Sequence, residues 1–191
     1  MHTIGYYGDS YCVSKDPHSW CVTLARRLGL RITNWGQSGY SHWTTLLELQ
    51  HKHNTGTLED VIVICWTEPH RLYHPDKPLS LNSRIPPPHD HLLERARDLY
   101  YTHLSHRRQQ FLAYKTSIEH FDRGLLRDVG QRRVLQSFSC QDPNNFAHVQ
   151  LTTGVLMGMP YQFTAGMHHA NHMTVEENHR VADLFTRAIE Q

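Results

Sequence analysis

The chemistry this sequence can do starts from one serine. Ser10 follows Gly8 and Asp9 at the end of an apolar run, residues 4–7. A glycine, an acid and a hydroxyl at that place describe a buried strand ending in a tight turn that presents a nucleophile at a sheet edge. In open α/β sheets, ligands bind beyond the carboxyl ends of the strands. A serine hydroxyl is a weak nucleophile until a base takes its proton, so the question is which histidine reaches it. Three other segments share the property of polar or glycine residues just past a strand or just before a helix. They are Asn34-x-Gly36-x-x-Gly39, Trp66-Thr67-Glu68, and His168-His169-Ala170-Asn171-His172.

The elements that must position these groups follow from periodicity. Asp16 and Pro17 predict a helix start, since Asp caps and Pro fits the first helical position. Trp20, Cys21, Leu24, Ala25 and Leu28 then share a face, and Gly29 ends the helix. Residues 30–35 alternate as a short strand. A glycine-containing loop leads to a second helix with Trp43, Leu46, Leu47 and Gln50 at helical spacing. Residues 61–66 are continuously apolar, as a strand buried on both faces of a parallel sheet should be. Residues 72–91 form an irregular, proline-rich excursion.

From residue 90 to about 121 the pattern is amphipathic and reads as core packing, in one helix or in two broken near Ser105-His106. Residues 133–138 are a further strand, and a short one is expected near Val149. Thr174 and Glu177 form a capping box ahead of a helix whose stripe is Val181, Ala182, Phe185, Ala188 and Ile189. Strand and helix alternate, which predicts an α/β fold, a parallel sheet between helical layers. The whole chain, 1–191, reads as one domain.

Lys and Arg total 19 against 18 Asp and Glu, a net charge of +1. That balance leaves no electrostatic footprint for nucleic acid. No run approaches membrane-spanning length, and no secretory leader is recognisable at the start. The four cysteines, Cys12, Cys21, Cys65 and Cys140, lack a C-x-x-C spacing and read as reduced thiols in a cytoplasmic setting.

Histidine is in excess, at 17 residues. The pairs His168/His172, His70/His74 and His51/His53 raise the question of a metal. A zinc site needs three or four convergent ligands with outer-shell support, and no H-E-x-x-H or Cys/His framework is present. Pro69 and Pro75 argue against a helix carrying His70 and His74. Neither a metal nor a cofactor is therefore expected.

In their order and separations, the four polar segments resemble the SGNH (GDSL) hydrolases, a family with a flavodoxin-like three-layer α/β/α sandwich. Gly8-Asp9-Ser10 is similar to the family's first block, with Ser10 at the nucleophile position. Asn34-Trp35-Gly36-Gln37-Ser38-Gly39 looks like the second, whose last glycine, Gly39, donates its backbone N–H to an oxyanion. His172-Met173-Thr174, with Asn178-His179 and Val181-Ala182, is similar to the segment carrying the catalytic histidine. The resemblance implies that His172 takes the proton of Ser10 as the hydroxyl attacks an ester carbonyl. The N–H groups of Ser10 and Gly39 would hold the oxyanion, and water would release the acyl group. An ordinary histidine pKa near neutrality suits both steps.

Two departures from the family pattern matter. Trp66-Thr67-Glu68-Pro69 stands where an asparagine donor belongs, and losing one such donor costs about a hundred- to a thousandfold in rate. Glu68 would replace it only if burial kept it protonated, unless Thr67 or Arg71 supplies the donor. His169 stands where an aspartate orients the base, which reduces the triad to a Ser10–His172 dyad.

Asp9 is expected to bond the surrounding loop backbone, and Glu68 and Arg71 can equally pair with each other. The Trp66, Thr67, Arg71 pattern looks most like divergent SGNH-like proteins encoded in phage genomes, which implies host cytoplasm or a virion. Two readings stand. One is an esterase acting on a small ester or an acylated carbohydrate, with no nucleic-acid or membrane partner. The other is a catalytically degenerate binding or structural module, such as a component of a viral particle.

Overall fold

The computed structural model describes residues 2–69, 71–73, 91–130, 132–138, 149, 151–152, 155–158 and 173–190. Five strands, β1 (Thr3–Gly8), β2 (Arg31–Asn34), β3 (Val61–Trp66), β4 (Arg133–Phe138) and β5 (Val155–Gly158), form a single sheet in the order β2-β1-β3-β4-β5. Every neighbouring pair is parallel. This is the flavodoxin-like order, in which the chain reverses its direction of travel across the sheet between β1 and β3.

The continuously apolar β3 shows why helices cover both faces. Val61, Val63 and Cys65 pack with Ile4, Tyr6 and Leu135 under two helices, α1 (Trp20–Arg27) and the C-terminal α5 (Val175–Glu190). Ile62, Ile64 and Trp66 face the other way, with Tyr7 and Val134, against α2 (His42–Asn54) and α4 (Arg107–Arg123). The result is a three-layer α/β/α sandwich. Trp20 ties one layer together by stacking on Phe185 at 5.0 Å and meeting the edge of Tyr6 at 5.3 Å.

Helix ends follow local chemistry. Gly29 takes φ +64°, and its N–H reaches the Arg26 carbonyl while that of Leu30 reaches Ala25, a Schellman closure of α1. At α5, Thr174 and Glu177 bond each other's backbone N–H at 2.7 and 3.1 Å, the reciprocal box its spacing requires.

The structure differs from the sequence expectation in four places. The first helix begins at Trp20, capped by Ser19, because Asp16 is used earlier, its carboxylate accepting the His18 N–H at 2.8 Å in an Asx turn. On α2 the buried face is His42, Thr45, Leu46 and Leu49, while Trp43 and Leu47 stay exposed. His42, edge-on to Tyr114 of α4 at 4.8 Å, sets that rotation.

The stretch from 90 to 121 does break at Ser105-His106, after α3 (His91–Leu99) and a π-helical turn (Tyr100–Leu104). Yet α3 buries no residue, and Leu92 is 81% exposed. No residue of α3 belongs to either core cluster among the described residues. Finally, no strand forms at Val149 or at 151–152, and the last strand is β5 instead. Asp122 captures both the N–H and the hydroxyl of Thr152, at 2.6 and 2.8 Å, so that segment is held by a side chain rather than a ladder.

Candidate active site

Ser10 opens a single 3-10 turn, Ser10–Cys12, directly beyond the carboxyl end of β1, and is half-buried there. Gly8 makes the exit possible. It takes φ +149°, and a Cβ on it would come within 2.4 Å of the Cys65 carbonyl on β3. Asp9 caps the turn by accepting the Tyr11 N–H at 3.1 Å. Its other carboxylate oxygen accepts the Thr67 hydroxyl at 2.8 Å and faces Arg71 Nη2 at 3.1 Å. The carboxylate is fully buried and compensated on both oxygens, as a buried charge must be.

Arg71 is the hub of this end of the sheet. Besides Asp9, it reaches Glu68 through Nε at 3.4 Å and the Tyr40 carbonyl through Nη1 at 3.3 Å. It thereby joins the loops that follow β1, β2 and β3. Both sequence readings of Asp9 and Arg71 hold together here: the acid bonds loop backbone, and the arginine pairs with Glu68 as well.

The glycine loop is held against the serine turn by backbone bonds. The Gly36 N–H donates to the Cys12 carbonyl at 3.2 Å, and that of Gln37 to Gly8 at 3.0 Å. Gly36 is confined, since a Cβ there would lie 2.3 Å from Cys12 Sγ and 2.9 Å from the Asp9 and Gly8 carbonyls. Asn34 anchors the loop's start, its amide donating to the Tyr6 carbonyl at 3.1 Å. Gly39 sits in the same loop with φ +80°.

The third segment departs from two of the roles considered for it. The single proton of the Thr67 hydroxyl is committed to Asp9, which removes it as an oxyanion donor. Glu68 has a side chain 40% exposed beside Arg71, so the burial needed to hold a protonated donor is missing. Trp66 is a positioning residue. Its indole N–H donates to Gln136 at 2.8 Å, and Gln136 in turn donates to Asp122 at 2.7 Å, all buried.

His169 and His172, with His70, lie outside the described residues. Met173, which follows His172 in the chain, is buried in the same cluster as Tyr11 and Cys12. Cys12 is fully buried. A hydrogen bond with Cys65, then burial, push its thiol well above the usual value.

What the sequence did not disclose is the convergence on Arg71: its link to Asp9 spans separate strands, and local spacing carries no signal of it. The glycine-containing loop was expected from the N-x-G-x-x-G spacing, but not the contact of Gly36 with Cys12. Among the described residues, no group of three or more His, Cys, Asp or Glu is placed to hold a metal ion. No described helix is long and apolar enough to cross a membrane.

No protein-family model and no curated protein matches the sequence. Solved structures do match the fold. One is a carbohydrate esterase whose active site is described as displaying divergent catalytic and non-catalytic binding functions. It aligns over 100% of this chain and 65% of its own, with 14% identity and a TM-score of 0.62. Another is a carbohydrate esterase family 2 enzyme with a carbohydrate-binding domain, from Corynascus thermopiles (Myceliophthora fergusii). It aligns over 100% of this chain and 67% of its own, with 13% identity and a TM-score of 0.53. The chain thus spans about two-thirds of the length of these esterases and shares their α/β/α fold, with Ser10 and Thr67 flanking the point where the strand order turns.

Proposed function

We propose that this protein is a serine ester hydrolase of the SGNH type, acting on an acylated carbohydrate or a similar small ester. The observation that carries the reading is the position of Ser10. It stands at the β1/β3 switch point, with the Gly39 loop hydrogen-bonded to its turn. Ligands of doubly wound sheets bind there, and the fold neighbours are carbohydrate esterases.

In this mechanism His172 removes the Ser10 proton as Oγ attacks the ester carbonyl. The backbone N–H groups of Ser10 and Gly39 receive the oxyanion, and His172 then protonates the departing alcohol. Water, activated by the same imidazole, hydrolyses the acyl-serine. The role of His172 rests on the resemblance of its segment, ahead of the capped helix α5, to the one that carries the family's catalytic histidine. His169 orients the imidazole in place of a carboxylate. Arg71, rather than Thr67 or Glu68, is the side chain at the third segment that faces the reacting carbonyl, while Asp9, Asn34 and Trp66 hold the loops.

The test is hydrolysis of 4-nitrophenyl acetate and of an acetylated xylo-oligosaccharide by the native protein and by Ser10→Ala. Turnover that disappears in Ser10→Ala supports the reading; turnover that persists refutes the assignment of Ser10. One observation favours the second reading, a non-catalytic carbohydrate-binding module. Thr67 and Glu68 are spent on Asp9 and Arg71, and Arg71 is itself held by Asp9, Glu68 and the Tyr40 carbonyl. Saturable binding of the same oligosaccharide without any turnover would establish it.

A further inference from the structure

At the opposite end of the sheet, where the strands begin, a cleft of about 600 Å³ opens between the ends of α1 and α5 and the start of β4. Its floor is apolar, made by Leu28, Leu30, Val61 and Ile189. Arg132 and Arg133 stand together at its rim. Arg133 donates to the Ile189 carbonyl in the last turn of α5, and Arg132 to the Val129 carbonyl at 3.0 Å. Each guanidinium has five N–H donors, and neither forms an ion pair with a carboxylate among the described residues.

The nearby acid does not offset them. Asp60 spends one carboxylate oxygen on the Thr3 N–H and hydroxyl, at 2.7 and 3.1 Å, with His2 at 3.6 Å. Among the described lining residues two arginines stand against one acid, a surplus of positive charge beside an apolar wall. Its volume falls within the roughly 300–1,000 Å³ range of small-molecule sites.

We propose that this cleft binds a small amphipathic carboxylate, its short apolar body on Leu28, Leu30, Val61 and Ile189 and its head between Arg132 and Arg133. The site is independent of Ser10, so this reading and the proposed hydrolysis stand or fall separately. Planar guanidinium groups favour a carboxylate head, which they can grip with paired N–H···O bonds.

The test is an amide NMR titration of the full chain with octanoate, with 1-octanol and octylammonium as controls. The expected result is saturable shifts at the residues lining the cleft, tighter for octanoate than for either control. Arg132→Gln should weaken octanoate about tenfold, roughly the energy of one charged hydrogen bond, and Arg132→Lys should restore part of it. Arg132 is exposed and leaves the cap on α5 in place, so these variants keep the fold. No saturable shifts, equal binding of 1-octanol, or indifference to Arg132→Gln would each overturn the proposal.

Discussion

At the scale of single residues, Asp9 decides whether Ser10 is held in place. Its buried carboxylate takes the Tyr11 N–H, the Thr67 hydroxyl and Arg71. Asp9→Asn should destabilise the fold by about 3 kcal/mol, the lower end for breaking a buried pair, because Glu68 still faces Arg71. Thr67→Val removes only a hydroxyl donor and should cost about 1–3 kcal/mol. Denaturant unfolding of the two variants checks the ranking, and a larger loss for Thr67→Val would contradict it.

His42 carries a second residue-scale expectation. Both its ring nitrogens are buried with no partner among the described residues, and burial lowers its pKa to about 4 from an ordinary 6.5. The folded state therefore prefers neutral His42, while the unfolded chain takes up the proton near 6.5. Stability is full above that value and falls as the pH drops toward 4, by roughly 3 kcal/mol in total. The stability of the native protein relative to His42→Phe should fall as the pH drops from about 6.5 toward 4, read from denaturation midpoints. Parallel curves would exclude His42 as the source.

At the scale of elements, the site is a meeting of three loops rather than a property of any strand. The serine turn and the glycine loop touch through Gly36, where no Cβ fits against Cys12 and the Asp9 and Gly8 carbonyls. Gly36→Ala should cost roughly 1–3 kcal/mol of overpacking and should also shift the loop bearing Gly39. Ester turnover should then fall further in Gly36→Ala than in a surface variant of equal stability loss. Equal losses would mean the loop contributes packing alone.

The elements themselves were largely legible because their signals are local. The run 61–66 could only be a doubly buried strand, and Thr174 with Glu177 could only open a helix. The glycine spacing of residues 34–39 likewise announced a loop. What stayed hidden depended on distant partners. Trp43 and Leu47 have helical spacing, yet Tyr114, far along the chain, selects the face through His42. The leucines of α3 are periodic but join neither core cluster among the described residues. Asp16 looked like a helix cap and instead closes the turn before one.

At the scale of the whole molecule, the strand order β2-β1-β3-β4-β5 puts the ends of β1 and β3 side by side at the reversal point. This brings Asp9, next to Ser10, into contact with Thr67 and Arg71 from well separated stretches of sequence. The carbohydrate esterases share that architecture at 13–14% identity, so the layering outlasts most of the residues that fill it. The central claim concerns the hydroxyl at the switch point, and labelling with a fluorophosphonate probe tests it most directly, with the adduct located by peptide mass spectrometry. The account predicts a single adduct on Ser10, absent from Ser10→Ala and slowed about 10²–10⁴-fold in His172→Ala, the usual share of a general base. No adduct from mildly acidic to alkaline pH, or one that persists in Ser10→Ala, would contradict it.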